Sequence, residues 1–135
     1  MPERAPSIAI VEDDATLAFM MEEMCRSAGL DVVGCVTNVE DAVTLVKTQT
    51  PDILLLDFNL DGDRNGLELI GDVKAIHPAM RTVLVTGWDI NDIAARMEGA
   101  QPDRILRKPV LPHVLMDVVA QVRPKGAVAG PSDRS

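Results

Sequence analysis

The sequence predicts an α/β fold in which helices cover both faces of a parallel sheet. Short apolar runs alternate with helix-like segments five times along the chain, which is the pattern that successive strand and helix units produce. Three of these runs are almost uniformly apolar, as expected for strands that are buried on both faces. The chain has 135 residues, which suits one domain that removes roughly two-thirds of its unfolded surface from water.

Five strands are predicted where the apolar runs stand. They cover 7–11, 31–36, 52–56, 81–86 and 103–107. The first, third and fourth should lie in the middle of the sheet, because they are nearly uniform in apolar residues. Polar residues mark the second and fifth strands as less buried and therefore as edges, namely Asp31, Asp103, Arg104 and Arg107.

The first two helices are predicted from apolar spacing and from residues that start or stop helices. Apolar residues recur at helical spacing over 14–28, and Gly29 follows as a natural stop. The second helix should begin at a capping box formed by Thr37 and Glu40. It should extend to Thr48, because a proline follows soon afterwards.

Three further helices follow from the same rules. The third should end near His77 and Pro78, since a proline disfavours helical backbone before it. The fourth should run from Ile90 to Gly99, and the fifth should open with Pro112 in its first turn.

The folded domain should cover residues 7–123. Residues 1–6 form a polar leader, and 124–135 form a tail rich in proline, glycine and serine. Both segments have too few large apolar groups to offset the cost of ordering, so both are expected to be flexible.

Composition and charge restrict the classes of protein. The content of 47% hydrophobic and 25% charged residues is ordinary for a globular domain, and 2% aromatic residues leave the interior to aliphatic side chains. The formal net charge of −8 argues against direct binding to nucleic acid or to an anionic membrane surface. No apolar run approaches the roughly 20 residues that span a bilayer.

The two cysteines and the start of the chain indicate the compartment. Cys25 and Cys35 lack a set of metal-ligand partners, and no signal-peptide region is visible. The sequence therefore predicts a cytoplasmic protein with two reduced, buried thiols.

Polar residues follow four of the predicted strands at the point where each strand ends. They are Glu12, Asp13, Asp57, Thr86 and Lys108. Because the carboxyl ends of parallel strands meet at one edge, these side chains should lie close together. Two carboxylates about 4 Å apart repel by about 4 kcal/mol at an effective dielectric of 20, so three of them call for cations. Lys108 supplies one positive charge, and Mg²⁺ is the natural second cation because it binds through a few carboxylates.

This set of residues suits phosphoryl transfer. Asp57 stands alone after a predicted central strand and can act as a nucleophile toward phosphorus, which gives an aspartyl phosphate. The Thr86 hydroxyl and the Lys108 ammonium can bind phosphoryl oxygens. Trp88 follows Thr86 by two residues and should also lie near the site.

In five motifs the chain resembles the receiver domain of two-component response regulators, over about residues 7–123. The motifs are IVEDD (10–14), ILLLDFNLDG (53–62), NG (65–66), VLVTGW (83–88) and LRKP (106–109). The resemblance implies a flavodoxin-like (βα)5 fold, doubly wound, with five parallel strands in the order 2-1-3-4-5.

The resemblance also implies a role for each site residue. Asp57 is the expected phosphoacceptor, Glu12 and Asp13 hold Mg²⁺ with Asp57, and the backbone carbonyl of Asn59 completes the protein's share of the metal sphere. The remaining expected roles are the switch hydroxyl (Thr86), the phosphate-pairing ammonium (Lys108), and a cis peptide bond before Pro109. Receiver domains often have an aromatic switch residue three positions before the lysine, where this chain has Ile105.

The function implied is that of a signalling phosphoprotein rather than an ordinary enzyme. A histidine kinase or a histidine phosphotransfer protein would donate the phosphoryl group, and the chain would catalyse its own phosphorylation and dephosphorylation. The fourth helix, fifth strand and fifth helix would then form the face for a downstream protein or for a homodimer. A phosphate shuttle or sink in a phosphorelay is the alternative within this family.

Two other classes compete with this interpretation. Residues 57–68 match the oxygen-donor pattern of an EF-hand calcium loop, although the run before them suits a strand better than a helix. A haloacid-dehalogenase-like phosphatase also has an aspartate after a strand. The second catalytic aspartate of such a phosphatase would fall at Asn59, and its nucleophile usually follows the first strand, whereas Asp57 follows the third. Both differences argue against this class.

Overall fold

The computed structural model describes residues 5–60, 62, 64–95 and 101–122. Within these residues, strands and helices alternate from β1 to α5. Their bounds are β1 Ser7–Val11, α1 Ala15–Ser27, β2 Asp31–Val36, α2 Val39–Gln49, β3 Ile53–Asp57, α3 Gly66–Ile76, β4 Arg81–Thr86, α4 Ile90–Ala94, β5 Arg104–Arg107 and α5 Pro112–Val122.

All strand pairs are parallel and the strand order is β2-β1-β3-β4-β5. The predicted fold class and both predicted edge strands are therefore confirmed. Every residue of β3, at the centre of the sheet, is buried, whereas the edge strands β2 and β5 contain exposed positions.

Alternate residues of each central strand point to opposite faces of the sheet and build two separate cores. Ile8 and Ile10 of β1 pack with α1 and α5, while Ala9 and Val11 pack with α2, α3 and α4. The residues that fill both cores are mainly Val, Ile, Leu, Met and Ala, as the low aromatic content predicts. The two layers hold the central strands rigidly, so the residues at their carboxyl ends have fixed positions.

Several predicted boundaries shift by one residue. The helix α1 begins after Asp14, whose side chain accepts a hydrogen bond from the Leu17 N–H and so caps the helix. Gly29 follows the helix with φ +85°, the left-handed conformation that favours glycine. Strand β3 ends one residue later than predicted, so Asp57 is its last residue, and β5 starts at Arg104 rather than at residue 103.

Two predictions from the sequence are wrong. The cap of α2 is Asn38 rather than Thr37, because the Asn38 carboxamide accepts the Asp41 N–H at 2.8 Å. Asparagine caps a helix at least as well as threonine does, and here it moves the start of the helix by one residue. Cys25 is buried as predicted, but Cys35 is exposed, because it lies on an edge strand that has a neighbour on one side.

Some predictions fall on residues that the structure does not describe. They concern most of the leader, the tail after residue 122, and Met97 and Gly99. The fourth helix itself is shorter than predicted, since α4 ends at Ala94 with Ala95 as its cap rather than running to Gly99. Among the described residues, no helix combines the length and the apolar content that a membrane span needs.

Candidate functional site

The carboxyl ends of four strands bring the predicted site residues to one edge of the sheet. Asp57 pairs with Val85 in the β3–β4 register, so Thr86 lies one step beyond it on the neighbouring strand. The Lys108 backbone N–H donates to the Thr86 carbonyl at 2.8 Å and continues the alignment of β4 with β5. On the other side, the Glu12 N–H donates to the carbonyl of Val36 at the end of β2.

Three carboxylates form an acidic cluster at this edge. One oxygen from each of Glu12, Asp13 and Asp57 can be chosen so that the three atoms lie within 4.8 Å of one another. Glu12 and Asp57 are only 1% and 2% exposed, whereas Asp13 is exposed to solvent. The cluster therefore has a buried side against the protein and an open side toward water.

Lys108 is the cation that faces this cluster. Its Nζ donates to Asp57 Oδ2 at 2.9 Å and lies 3.6 Å from Glu12 Oε1. Burial alone would lower the pKa of Lys108, but the hydrogen bond to Asp57 and the charges of Asp57 and Glu12 raise it above its usual value. The side chain is therefore an ammonium at neutral pH.

Glu12 is held in an environment that disfavours its charge. Its pKa is raised to about 7, chiefly by burial and also by the neighbouring Asp57 charge. The backbone N–H of Asp14, which donates to Oε2 at 3.1 Å, and the Lys108 charge oppose this rise. Among the described side chains, one ammonium faces three carboxyl groups, so negative charge remains in excess even when Glu12 is protonated.

The donor set fits a divalent metal ion. Within the described part of the chain, the buried Oε1 of Glu12 has no hydrogen-bond partner, since Lys108 Nζ at 3.6 Å is too far for a hydrogen bond. A buried polar atom without such a partner costs free energy. A cation in the acidic cluster would satisfy this oxygen. Carboxylate oxygens on a half-open edge are suitable ligands for Mg²⁺, which also retains water.

Thr86 is a buried hydroxyl next to the acidic cluster. Its Oγ1 accepts the Trp88 backbone N–H at 2.9 Å, so the hydroxyl hydrogen can be donated to another acceptor. The half-buried Trp88 ring packs against Phe58, which directly follows Asp57, with ring centroids 5.5 Å apart. Trp88 therefore lies beside the site, as the sequence predicts.

Asn59 and the Lys108–Pro109 bond, also named in the sequence analysis, lie at this edge, whereas Ile105 lies within β5. Asn59 is exposed, and its backbone N–H approaches Asp57 Oδ1 at 3.4 Å, a long contact. Its carbonyl as a metal ligand stays a prediction. The Lys108–Pro109 peptide bond is cis. Ile105 is half-buried and packs against the core on the α2, α3 and α4 side.

Sequence reasoning missed how the loop between β3 and α3 is fixed. Asn65 and Glu68 form a capping box, in which the Glu68 N–H donates to Asn65 Oδ1 and the Asn65 N–H donates to Glu68 Oε1. An asparagine followed three residues later by a glutamate was the available signal. Arg64 is paired with Asp72 of α3 at 2.8 Å.

These contacts argue against an EF-hand at 57–68. An EF-hand loop follows a helix, whereas the residues before Asp57 form the strand β3. The glutamate that would end the calcium loop, Glu68, holds the start of α3 instead.

Comparisons with known proteins agree with the geometry. The family model of the response regulator receiver domain matches residues 8–120. The DNA-binding response regulator MtrA of Mycobacterium tuberculosis is 34% identical over 118 residues, which are 86% of this chain and 48% of that protein. The chain spans about half the length of the first curated relatives that it matches, from 48% to 49% of each.

Solved structures show the same architecture. The signal receiver domain of a modulated diguanylate cyclase from Desulfovibrio desulfuricans G20 is 28% identical, with a TM-score of 0.79 over 87% of this chain and 93% of that one. A response regulator described as putative, from Chloroflexus aurantiacus J-10-fl, is also 28% identical, with a TM-score of 0.78 over 88% of this chain and 98% of the other.

Proposed function

Because this chain belongs to the response regulator receiver domain family, we propose that it accepts a phosphoryl group on Asp57 in a Mg²⁺-dependent reaction. The donor would be a phosphohistidine of a sensor kinase or of a histidine phosphotransfer protein. The observation that carries the proposal is the buried Asp57 carboxylate, which contacts the Lys108 ammonium at 2.9 Å and shares an acidic cluster with Glu12 and Asp13.

The reaction would exchange one bond to phosphorus for another. An oxygen of Asp57 attacks the phosphorus and forms an O–P bond, while the P–N bond to the donor imidazole breaks. The bonding electrons return to the imidazole nitrogen, which takes up a proton. The product is an acyl phosphate on Asp57. Water later attacks its phosphorus, the O–P bond to Asp57 breaks, and inorganic phosphate leaves as the carboxylate is restored.

The residues around Asp57 would neutralise the charge that the phosphoryl group brings. Lys108 already lies within hydrogen-bond distance of the carboxylate and would pair with a phosphoryl oxygen. The hydroxyl of Thr86 would donate to a second oxygen, since its own oxygen already accepts from Trp88. Glu12, Asp13 and Asp57, with the Asn59 carbonyl, would hold Mg²⁺. The bound metal would supply further positive charge to the phosphoryl oxygens.

The partners of the reaction belong to this proposal. Receiver domains interact with histidine kinases or phosphotransfer proteins, and we infer that one of these donates to this chain in the cytoplasm. The signal would pass by protein contact through the surface of α4, β5 and α5, which can bind a target or a second copy of the chain. Direct contact with nucleic acid or membrane is not expected, because the net charge is −8.

One observation favours a second candidate, a phosphate shuttle or sink. Ile105 stands where receiver domains often have an aromatic switch residue, and it is half-buried against the core. An aliphatic side chain of this kind cannot report phosphorylation by rotating a ring. In a shuttle the phosphoryl transfer is itself the function, so no such ring is needed.

Phosphotransfer from a panel of phosphorylated histidine kinases and phosphotransfer proteins tests the proposal. We expect rapid labelling of the wild-type chain by one donor, and no labelling of Asp57→Asn. Fast return of the phosphoryl group to the donor would favour the shuttle, and a new complex that requires phosphorylation would favour signalling. Turnover of a diffusible phosphate ester would contradict both and would indicate a hydrolase.

A further inference from the structure

The NG motif at 65–66 places a glycine against the backbone of the phosphoacceptor strand. Gly66 is the first residue of α3 and is buried. Its N–H donates to the Phe58 carbonyl at 2.8 Å, which fastens the start of the helix to the residue that follows Asp57.

The space at this position excludes any side chain. A Cβ at Gly66 would lie 2.5 Å from the Asp57 carbonyl oxygen, 3.0 Å from Phe58 Cα and 3.1 Å from Leu84 Cδ1. The first two atoms are backbone. One belongs to the last residue of β3, which has a neighbouring strand on both sides, and the other to the next residue, whose N–H donates to Val85 of β4. These backbone atoms cannot move out of the way by a change of rotamer, as the end of a long side chain can.

Close approach is the reason for glycine here, rather than backbone conformation. Gly66 is not among the glycines with positive φ, which in the described ranges are Gly29 and Gly62. Alanine is the better helix former and would suit the helical backbone. Its methyl group would instead push the Asp57–Phe58 segment away from α3.

Such a shift would reach the candidate site directly. Asp57 presents its carboxylate to Lys108 at 2.9 Å and shares the acidic cluster with Glu12. Displacing the Asp57 backbone changes the separation of these charges, and a misplacement on the order of 1 Å can cost about 100-fold in rate.

We propose that Gly66 is a positioning residue, which keeps α3 close enough to β3 to set where Asp57 presents its carboxylate. The consequences for metal and phosphoryl binding rest on the proposed function. The placement itself does not, and it can be measured separately.

The helix offers a matched control. A Cβ at Gly71, also in α3, would have nothing within 4 Å, so Gly71→Ala should leave the site unchanged and favour the helix. Gly66→Ala should weaken Mg²⁺ binding, followed through Trp88 emission, by about 10-fold to 100-fold, the usual loss when a support of a metal ligand is removed. It should also move the amide resonances of residues 57–59, while the resonances of β2 stay in place.

A third variant tests whether the loss of Mg²⁺ binding comes from displacement of the Asp57 backbone or from crowding against the Leu84 side chain. Leu84→Val removes Cδ1, the side-chain atom among the three atoms nearest to the added methyl group, but leaves the Asp57 carbonyl where it is. The weakened Mg²⁺ binding of Gly66→Ala should therefore persist in the double variant. Recovery in the Leu84→Val background would overturn the proposal. If Gly66→Ala alone is too unstable to study, the Gly71→Ala background supplies a more stable helix.

The outcomes distinguish this inference from the proposed function. If the amide resonances of residues 57–59 in Gly66→Ala match those of wild type, the proposed role of Gly66 is wrong, whether or not Mg²⁺ binding changes. An absent Mg²⁺ response in wild type would count against the proposed function, and the resonances would still decide the role of Gly66.

Discussion

The Lys108 ammonium lies 2.9 Å from Asp57 Oδ2 and 3.6 Å from Glu12 Oε1, so one cation bridges two buried carboxylates. The Lys108 side chain comes from the loop after the edge strand β5, while Asp57 ends the central strand β3 and Glu12 follows β1. The contact therefore depends on the sheet order, and it links residues that are 51 positions apart in the sequence.

Lys108→Ala should slow phosphorylation by a small phosphodonor such as acetyl phosphate. Removing one preorganised donor to a developing charge typically costs about 10²- to 10³-fold in rate, and a similar loss is expected here. The rate can be followed by intact mass spectrometry at saturating Mg²⁺. Lys47→Ala removes an exposed lysine near the end of α2 and is the matched control. An unchanged rate in Lys108→Ala would contradict the role given to this side chain.

Trp88 should report metal binding and phosphorylation by its fluorescence. It is the one tryptophan in the sequence, its backbone N–H donates to Thr86 Oγ1, and its ring contacts Phe58 beside Asp57. Its emission should change when millimolar Mg²⁺ is added and again when acetyl phosphate follows. Asp57→Asn should abolish the second change, and a second change that persisted in that variant would mean that the signal comes from elsewhere.

Glu68→Ala separates a structural role for Glu68 from calcium binding. In the capping box its Oε1 accepts the Asn65 N–H at 2.9 Å, so loss of the side chain should lower the free energy of unfolding by about 0.5–2 kcal/mol. Metal affinity should stay as in wild type. Chemical denaturation and calcium titration measure the two effects. Micromolar calcium binding that disappears in Glu68→Ala would instead revive the EF-hand interpretation.

Asp103 should contribute stability that is lost in acid. Burial alone would raise its pKa, but the Thr82 N–H at 2.7 Å and the Lys74 and Arg81 charges lower the pKa below its usual value. The folded state therefore binds this proton less readily than the unfolded state does. The contribution is present above the unfolded pKa of about 4 and declines as pH falls through the lower folded value.

The variant Asp103→Asn measures this contribution. Its free energy of unfolding should fall less steeply than that of wild type as the pH is lowered below about 4. Identical slopes in urea denaturation series over that range would show that Asp103 does not contribute to acid unfolding.

The strand ends could be predicted from the sequence because the central strands are short and uniformly apolar. A polar residue directly after such a run is expected at the carboxyl edge of a parallel sheet, and Asp57, Thr86 and Lys108 all lie there. Local spacing could not reveal that Glu12 and Asp13 differ in their exposure to solvent. They are adjacent in sequence, but one is buried and the other exposed, because the Glu12 backbone still bonds to the end of β2 while Asp13 lies one residue further from the sheet.

The close approach of Gly66 to β3 could not be predicted from the sequence for a different reason. Whether a glycine is needed for its conformation or for a close approach depends on which atoms lie beside it, and at Gly66 these come from Asp57, Phe58 and Leu84, which are distant from one another or from Gly66 in the sequence. The start of α2 was misplaced because Thr37 and Asn38 are both good caps, and only the backbone geometry selects between them.

The central claim is that Asp57 is the phosphoacceptor, and chemical identification of the modified residue tests it most directly. After treatment with acetyl phosphate and Mg²⁺, borohydride reduces an aspartyl phosphate to homoserine, which peptide sequencing by mass spectrometry locates. We predict homoserine at position 57 in wild type, and none when Mg²⁺ is omitted or in Asp57→Asn. Homoserine at another aspartate, or none in wild type under conditions that modify a known receiver domain, would contradict the claim.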